Sequence, residues 1–197
     1  TITASEIRKR MASETDIQLD IYDTVSIEDD QLVIPNTVKS IRGGHFVFWG
    51  NKARAGMLVL NRKVEDELII ENTQITLHAQ EAANCEAALY ITGSDKVSVK
   101  YCRFYVSLDA HAHCLSIKAS SPGVDCSGFK IIGSRFEFQR HNKALENGKN
   151  AIFVLGHLPG NQKESWTKYG RLLTPDAWVR DIEISRNNIS SGYYGIG

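Results

Sequence analysis

Residues 129–138 read FKIIGSRFEF. Phe129 and Ile131 flank Lys130, and Phe136 and Phe138 flank Glu137, so each half has the two-residue period of a strand. The halves are out of phase by one residue, and a bend at Gly133-Ser134 would turn both apolar pairs toward one interior. Four other stretches share this pattern: KSIRGGHFVF from Lys39, LIIENTQITL from Leu68, VSVKYCRFYV from Val97 and IEISRNNISS from Ile182. Across the five, the third position reads Ile41, Ile70, Val99, Ile131, Ile184, and the eighth reads Phe46, Ile75, Phe104, Phe136, Ile189. Both columns are wholly apolar. The first and last positions are apolar in all but Lys39 and Ser191. The bend columns, Gly43-Gly44, Asn72-Thr73, Tyr101-Cys102, Gly133-Ser134 and Arg186-Asn187, are mostly small or polar.

A further apolar run follows each stretch: MLVL from Met57, ALYI from Ala88, CLSI from Cys114, AIFV from Ala151 and YGI from Tyr194. The unit therefore reads strand, corner, strand, loop, strand. The stretches begin 29, 29, 32 and 53 residues apart, and about 29 residues suit a coil of three short strands. Helical periodicity is weak, so leucine-rich, ankyrin and tetratricopeptide arrays fit poorly. An antiparallel sandwich would carry tight hairpin turns, and Asn147-Gly148, in a long polar loop, is the only such pair.

Composition narrows the partners. Lys and Arg number 23, as do Asp and Glu, so the net charge of +0 argues against a nucleic-acid partner held by phosphate neutralisation. With 42% hydrophobic residues the chain has the means to fill a core. No run of about 18 apolar residues predicts membrane insertion, and TITASEIRKRMAS lacks a signal-peptide apolar stretch. Cys85, Cys102, Cys114 and Cys126 form no CxxC pair and read as buried free thiols. Thr3 and Glu6 have capping-box spacing, and Ile7 and Met11 lie four apart, which predicts a helix over 4–14 covering the first coil.

On this coil pattern, and most clearly in GFKIIGSRFEF and VRDIEISRNNISSGYYGIG, the stretch from 32 to 197 resembles the right-handed parallel β-helix, or pectate-lyase-like, superfamily. The resemblance implies an all-β, right-handed parallel β-helix of about five coils behind an N-terminal cap, helix plus first strands, over 1–31. The chain stops at Tyr-Tyr-Gly-Ile-Gly with no cap, which reads as a truncated coil or as an end that another chain covers. The superfamily includes polysaccharide lyases, glycoside hydrolases, uronan epimerases and bacteriophage tailspikes. Pectin-type motifs are missing, since Gly43-Gly44-His45 is not the Gly-His-Gly triplet of the hydrolases.

Candidate chemistry falls on outward positions and loops. Arg103, Tyr105, Arg135 and Glu137 would form a two-by-two patch on neighbouring coils. A lyase needs a cation to neutralise a uronate, a base for the α-proton and an acid for the leaving oxygen. Arg103 or Arg135 fits the first role and Tyr105 the second or third. The same residues also read as a salt-bridge ladder on a solvated face. Asp109, His111 and His113 alternate to one side of an extended segment and fit acid–base work; with no further ligand evident, no metal or other cofactor is assigned. His141 lies on the corresponding loop one coil on. The long interval carries an insertion over about 157–178, in which Trp166 and Tyr169 fit sugar stacking and Lys168 and Arg171 fit pairing with acidic groups.

These features predict a polysaccharide-recognising and polysaccharide-degrading protein of the phage tailspike type. It would be extracellular or on the virion surface, act on bacterial glycan, and be a homotrimer if a tailspike. The alternatives are a non-catalytic structural or adhesive β-helix and a free bacterial uronan lyase or epimerase.

Overall fold

A left-handed residue stands at the fifth position of every repeat. Gly43, Asn72, Tyr101, Gly133 and Arg186 have φ of 72°, 51°, 53°, 62° and 57°. This is the corner that the phase slip requires. A computed structural model describes residues 2–80, 83–107, 110–139, 149–159, 175–190 and 194–197. Among these the chain is mostly β, with one short N-terminal helix.

The helix α1 (Ala4–Ser13) is capped as predicted. The Thr3 hydroxyl accepts from the Glu6 N–H at 3.2 Å, the Glu6 carboxylate accepts from the Thr3 N–H at 2.6 Å, and Ile7 and Met11 are buried. The strands are β1 (Ile17–Glu28), β2 (Gln31–Val33), β3 (Val38–Gly50), β4 (Gly56–Leu60), β5 (Leu68–Glu71), β6 (Gln74–Ala79), β7 (Ala87–Thr92), β8 (Val97–Lys100), β9 (Arg103–Val106), β10 (His113–Lys118), β11 (Cys126–Ile132), β12 (Arg135–Phe138), β13 (Asn150–Leu155), β14 (Val179–Ser185), β15 (Asn188–Ile189) and β16 (Tyr194–Ile196). They form two sheets. In the larger, β3 is shared by two legs: its first half leads into β5, β8, β11 and β14, its second half into β6, β9, β12 and β15, and β1 pairs with β3 along both halves. The smaller sheet runs β2, β4, β7, β10, β13, β16. All of these strand pairs are parallel. Among the described residues the antiparallel contact is the isolated bridge from His157 to Ala177, at the neck of the insertion.

The repeat columns are hydrogen-bonded neighbours. Ile41, Ile70, Val99, Ile131 and Ile184 pair in succession, and so do Phe46, Ile75, Phe104, Phe136 and Ile189. Leu32, Met57, Leu89, Leu115, Ile152 and Ile196 make the equivalent column of the smaller sheet. Phe104 and Phe136 stack with ring centroids 4.9 Å apart and planes 2° from parallel. Both columns of the larger sheet extend one unit upstream, with Leu19 opposite Ile41 and Val25 opposite Phe46.

The corners are held from inside. Amides of Asn72, Tyr101 and Gly133 donate to Lys100, Ile132 and Ser185 carbonyls at 3.0, 2.9 and 3.1 Å. Behind them, the Ser134 hydroxyl accepts from the Cys102 N–H, and Asn187 bonds both the Ser134 N–H and the Ile131 carbonyl. Gly133 is needed for more than its φ, since a Cβ there would lie 2.6 Å from the Tyr101 ring. The four cysteines are free and buried, and burial pushes the Cys102 thiol up to about 12, which leaves it unreactive.

Phe104 is 1% exposed at the centre of its column. Phe104→Ala should cost about 3–5 kcal/mol, read from urea unfolding, whereas Phe104→Leu should cost under about 1.5 kcal/mol.

Candidate functional site

The parity that drives Phe46, Ile75, Phe104 and Phe136 inward drives their neighbours outward. The outer face of the second leg therefore carries, strand by strand, Ser26 and Glu28 on β1, then His45, Val47 and Trp49 on β3. It continues with Gln74, Thr76 and His78 on β6, Arg103 and Tyr105 on β9, and Arg135 and Glu137 on β12. The predicted patch is assembled: Arg103 pairs in register with Arg135, and Tyr105 with Glu137. Arg135 forms an ion pair with Glu137 on its own strand. Arg103 is exposed, and no ion pair to it is present among the described residues.

A ring ladder crosses the same face. Trp49 stacks on His78 with centroids 4.3 Å apart, and His78 meets Tyr105 at 6.3 Å, tilted by 60°. The Trp49 indole N–H donates to the Ser26 hydroxyl at 3.1 Å, and His45 shares a 2.8 Å hydrogen bond with Thr76. Burial pushes both the His45 and His78 imidazoles below their ordinary value, and His45 is lowered further by His78. This favours the neutral form of both imidazoles. Where the strands run into the following loops, Trp49, Asn51, His78, Ala79, Gln80, Ser107 and Gln139 enclose a cleft of about 310 Å³. One wall is aromatic, and the rim supplies three carboxamides and a hydroxyl. Such groups both donate and accept, as the hydroxyls of a sugar require.

Of the other predicted residues, His111 and His113 are described. His113 belongs to β10 in the smaller sheet, 5% exposed, where its Nδ1 accepts from the Asn150 N–H at 2.9 Å and its ring stacks on Phe153. His111 is half-buried between buried Ala110 and Ala112, just before β10. Asp109, His141, Trp166, Lys168, Tyr169 and Arg171 lie outside the described residues. At the insertion's neck, His157 Nδ1 lies 2.5 Å from Asp176 Oδ1, and Arg180 bridges Asp125 at 2.7 Å and covers the exposed Trp178 ring. Among the described residues no three metal-ligating side chains cluster, and no helix is long and apolar enough to cross a membrane.

A larger hollow of about 470 Å³ lies on the other leg, lined by Glu67, Lys96, Lys130, Asp181 and Glu183. Its charges are partly engaged already, Lys96 with Glu65 at 3.1 Å and Glu67 with Ser98, and it lacks a stacking pair of rings. The aromatic cleft is the better ligand site on chemistry. Trp49, His78 and Gln139 escaped the sequence reading because they occupy the eleventh position of the repeat, one alternation past the ten-residue window.

No family model matches the chain, and no curated protein or solved structure matches it.

The Arg135–Glu137 pair is half-exposed at its arginine, so a solvent-screened bridge of little value is expected. Arg135→Ala and Glu137→Gln should each shift unfolding free energy by less than about 1 kcal/mol in urea titrations. Any larger functional loss in these variants then reflects the site.

Proposed function

We propose that this chain is a right-handed parallel β-helix that binds polysaccharide along the outer face of its second leg, in the manner of phage tailspikes and related depolymerases. The observation that carries the reading is the ring ladder of Trp49, His78 and Tyr105, which leads into an amide-rimmed cleft on a face that also carries the exposed Arg103 at the start of β9. Sugar C–H faces pack on rings, and vicinal hydroxyls suit carboxamides. An exposed guanidinium suits a carboxylate, so an acidic bacterial surface glycan is the favoured ligand, encountered outside the cell or at the virion surface.

As a lyase, the site would use Arg103 to neutralise the uronate, since Arg135 is occupied by Glu137. Tyr105 would take the α-proton. As the ring carbon–carbon double bond forms, the glycosidic carbon–oxygen bond breaks and Tyr105 passes the abstracted proton to the leaving oxygen. A hydrolase would need two facing carboxylates, and Glu137 has no described carboxylate beside it on this face. A non-catalytic adhesive role is the second reading. The bonds from Trp49 to Ser26, from His45 to Thr76 and from Arg135 to Glu137 favour it, because they show a face whose side chains already satisfy one another. A free uronan lyase or epimerase differs from a tailspike in assembly: a monomer by solution mass supports the free enzyme, and a trimer the virion protein.

Binding to an array of acidic and neutral bacterial glycans tests the ligand, and ultraviolet absorbance of an unsaturated product tests the lyase step. Trp49→Ala and Arg103→Ala should each weaken binding at least about tenfold while leaving the fold intact, the former for neutral and acidic glycans, the latter for acidic ones. Binding without product, unchanged in Tyr105→Phe, would establish the adhesive reading. An array with no binder would sink both.

A further inference from the structure

The smaller sheet carries a polar cluster that the glycan reading does not use. His113 begins β10, and its amide donates to the Glu86 carbonyl at 3.0 Å. A backbone N–H can only donate, so the bond from Asn150 N–H to His113 Nδ1 fixes the ring as the neutral tautomer protonated at Nε2. Asn150 is the first residue of β13, and the His113 ring lies flat on Phe153 of that strand, 4.3 Å away with planes 2° apart. One imidazole thus fastens β13 twice.

The surroundings do not accommodate a second proton. Lys149 precedes β13, and Lys118 of β10 sits over the Tyr90 and Phe153 rings at 5.7 and 5.4 Å. The nearby carboxylate, Glu86, is already engaged by Lys118 at 2.5 Å and by the Ser116 hydroxyl at 3.1 Å. That engagement holds Glu86 below its ordinary value despite its burial. Cys114, next in the chain, turns toward the Glu137 carbonyl. Burial first, and Lys149 second, push the His113 imidazole down to about 4.

We propose that His113 is an acid-operated latch: protonation at Nδ1 sets donor against donor at the Asn150 amide, the ring leaves its stack on Phe153, and the start of β13 is released from β10. The latch stands independently of what the outer face of the second leg binds. Its direction follows from linkage. The released imidazole takes up a proton near 6.5 and the fastened one only near 4, so fastening is complete above pH 6.5 and weakens as pH falls between those values.

Hydrogen exchange of the full chain, followed by mass spectrometry from pH 7.5 to 4.5 and corrected for intrinsic rates, tests this. Opening of the β13 peptide should grow about tenfold per pH unit below about 6.5, while the β11 peptide stays flat. In His113→Gln, whose side-chain oxygen accepts the same amide bond without titrating, the β13 profile should be flat. A wild-type β13 profile that parallels β11, or a variant that keeps the acid-dependent rise, overturns the latch. Should the variant fail to fold, the His113 ring titration in wild type by NMR decides: a midpoint below about 6 supports the latch and one at about 6 or above overturns it.

Discussion

One residue of phase, lost at each corner, governs this molecule. Strand side chains alternate, so a bend that consumed an even number of residues would turn Phe46, Ile75, Phe104 and Phe136 to solvent while Ile41, Ile70, Val99 and Ile131 stayed inside. The left-handed residue at position five takes up the odd step. It costs about 1–2 kcal/mol where the residue is not glycine, as at Asn72, Tyr101 and Arg186. The cost is offset because each corner is stacked on the next: amides reach neighbouring carbonyls, and Ser134 and Asn187 bond the backbone groups the bend exposes.

The same parity makes an outer face as ordered as the core. Trp49 and His78 are registered neighbours on β3 and β6, so their stacking follows from backbone pairing and needs no separate device. Partial burial on that face favours the neutral imidazoles of His45 and His78. Fixed side chains on rigid strands then meet an adaptable amide rim, which is a sound division between positioning and recognition.

The inward columns were legible in the sequence because parallel pairing repeats one register, so chemical identity recurs at fixed offsets. The Thr3–Glu6 cap was legible because it is local. Leu19 and Val25 were not placed in the columns, since β1 carries a register shift between Ile21 and Thr24 that spoils the ten-residue spacing; Tyr22, in that bulge, is 94% exposed. Arg62, wholly buried and donating to the carbonyls of Pro35, Asn36 and Asp66, gave no signal, because a charged residue in a polar stretch reads as surface. Of the candidate site, the Arg103 patch was visible through alternation. His113 stood out beside Asp109 and His111, but its seat in the smaller sheet did not, because its partners come from β7 and β13, far away in the chain.

The flanks of the long insertion show what this geometry tolerates. β13 keeps its register on β10 and β14 keeps its register on β11, although the chain between them is far longer than in earlier units. Additional length at that neck is mechanically silent for the stacked interior. The scaffold can thus accept foreign segments there, from evolution or from an engineer, and change what it touches while its skeleton stays the same.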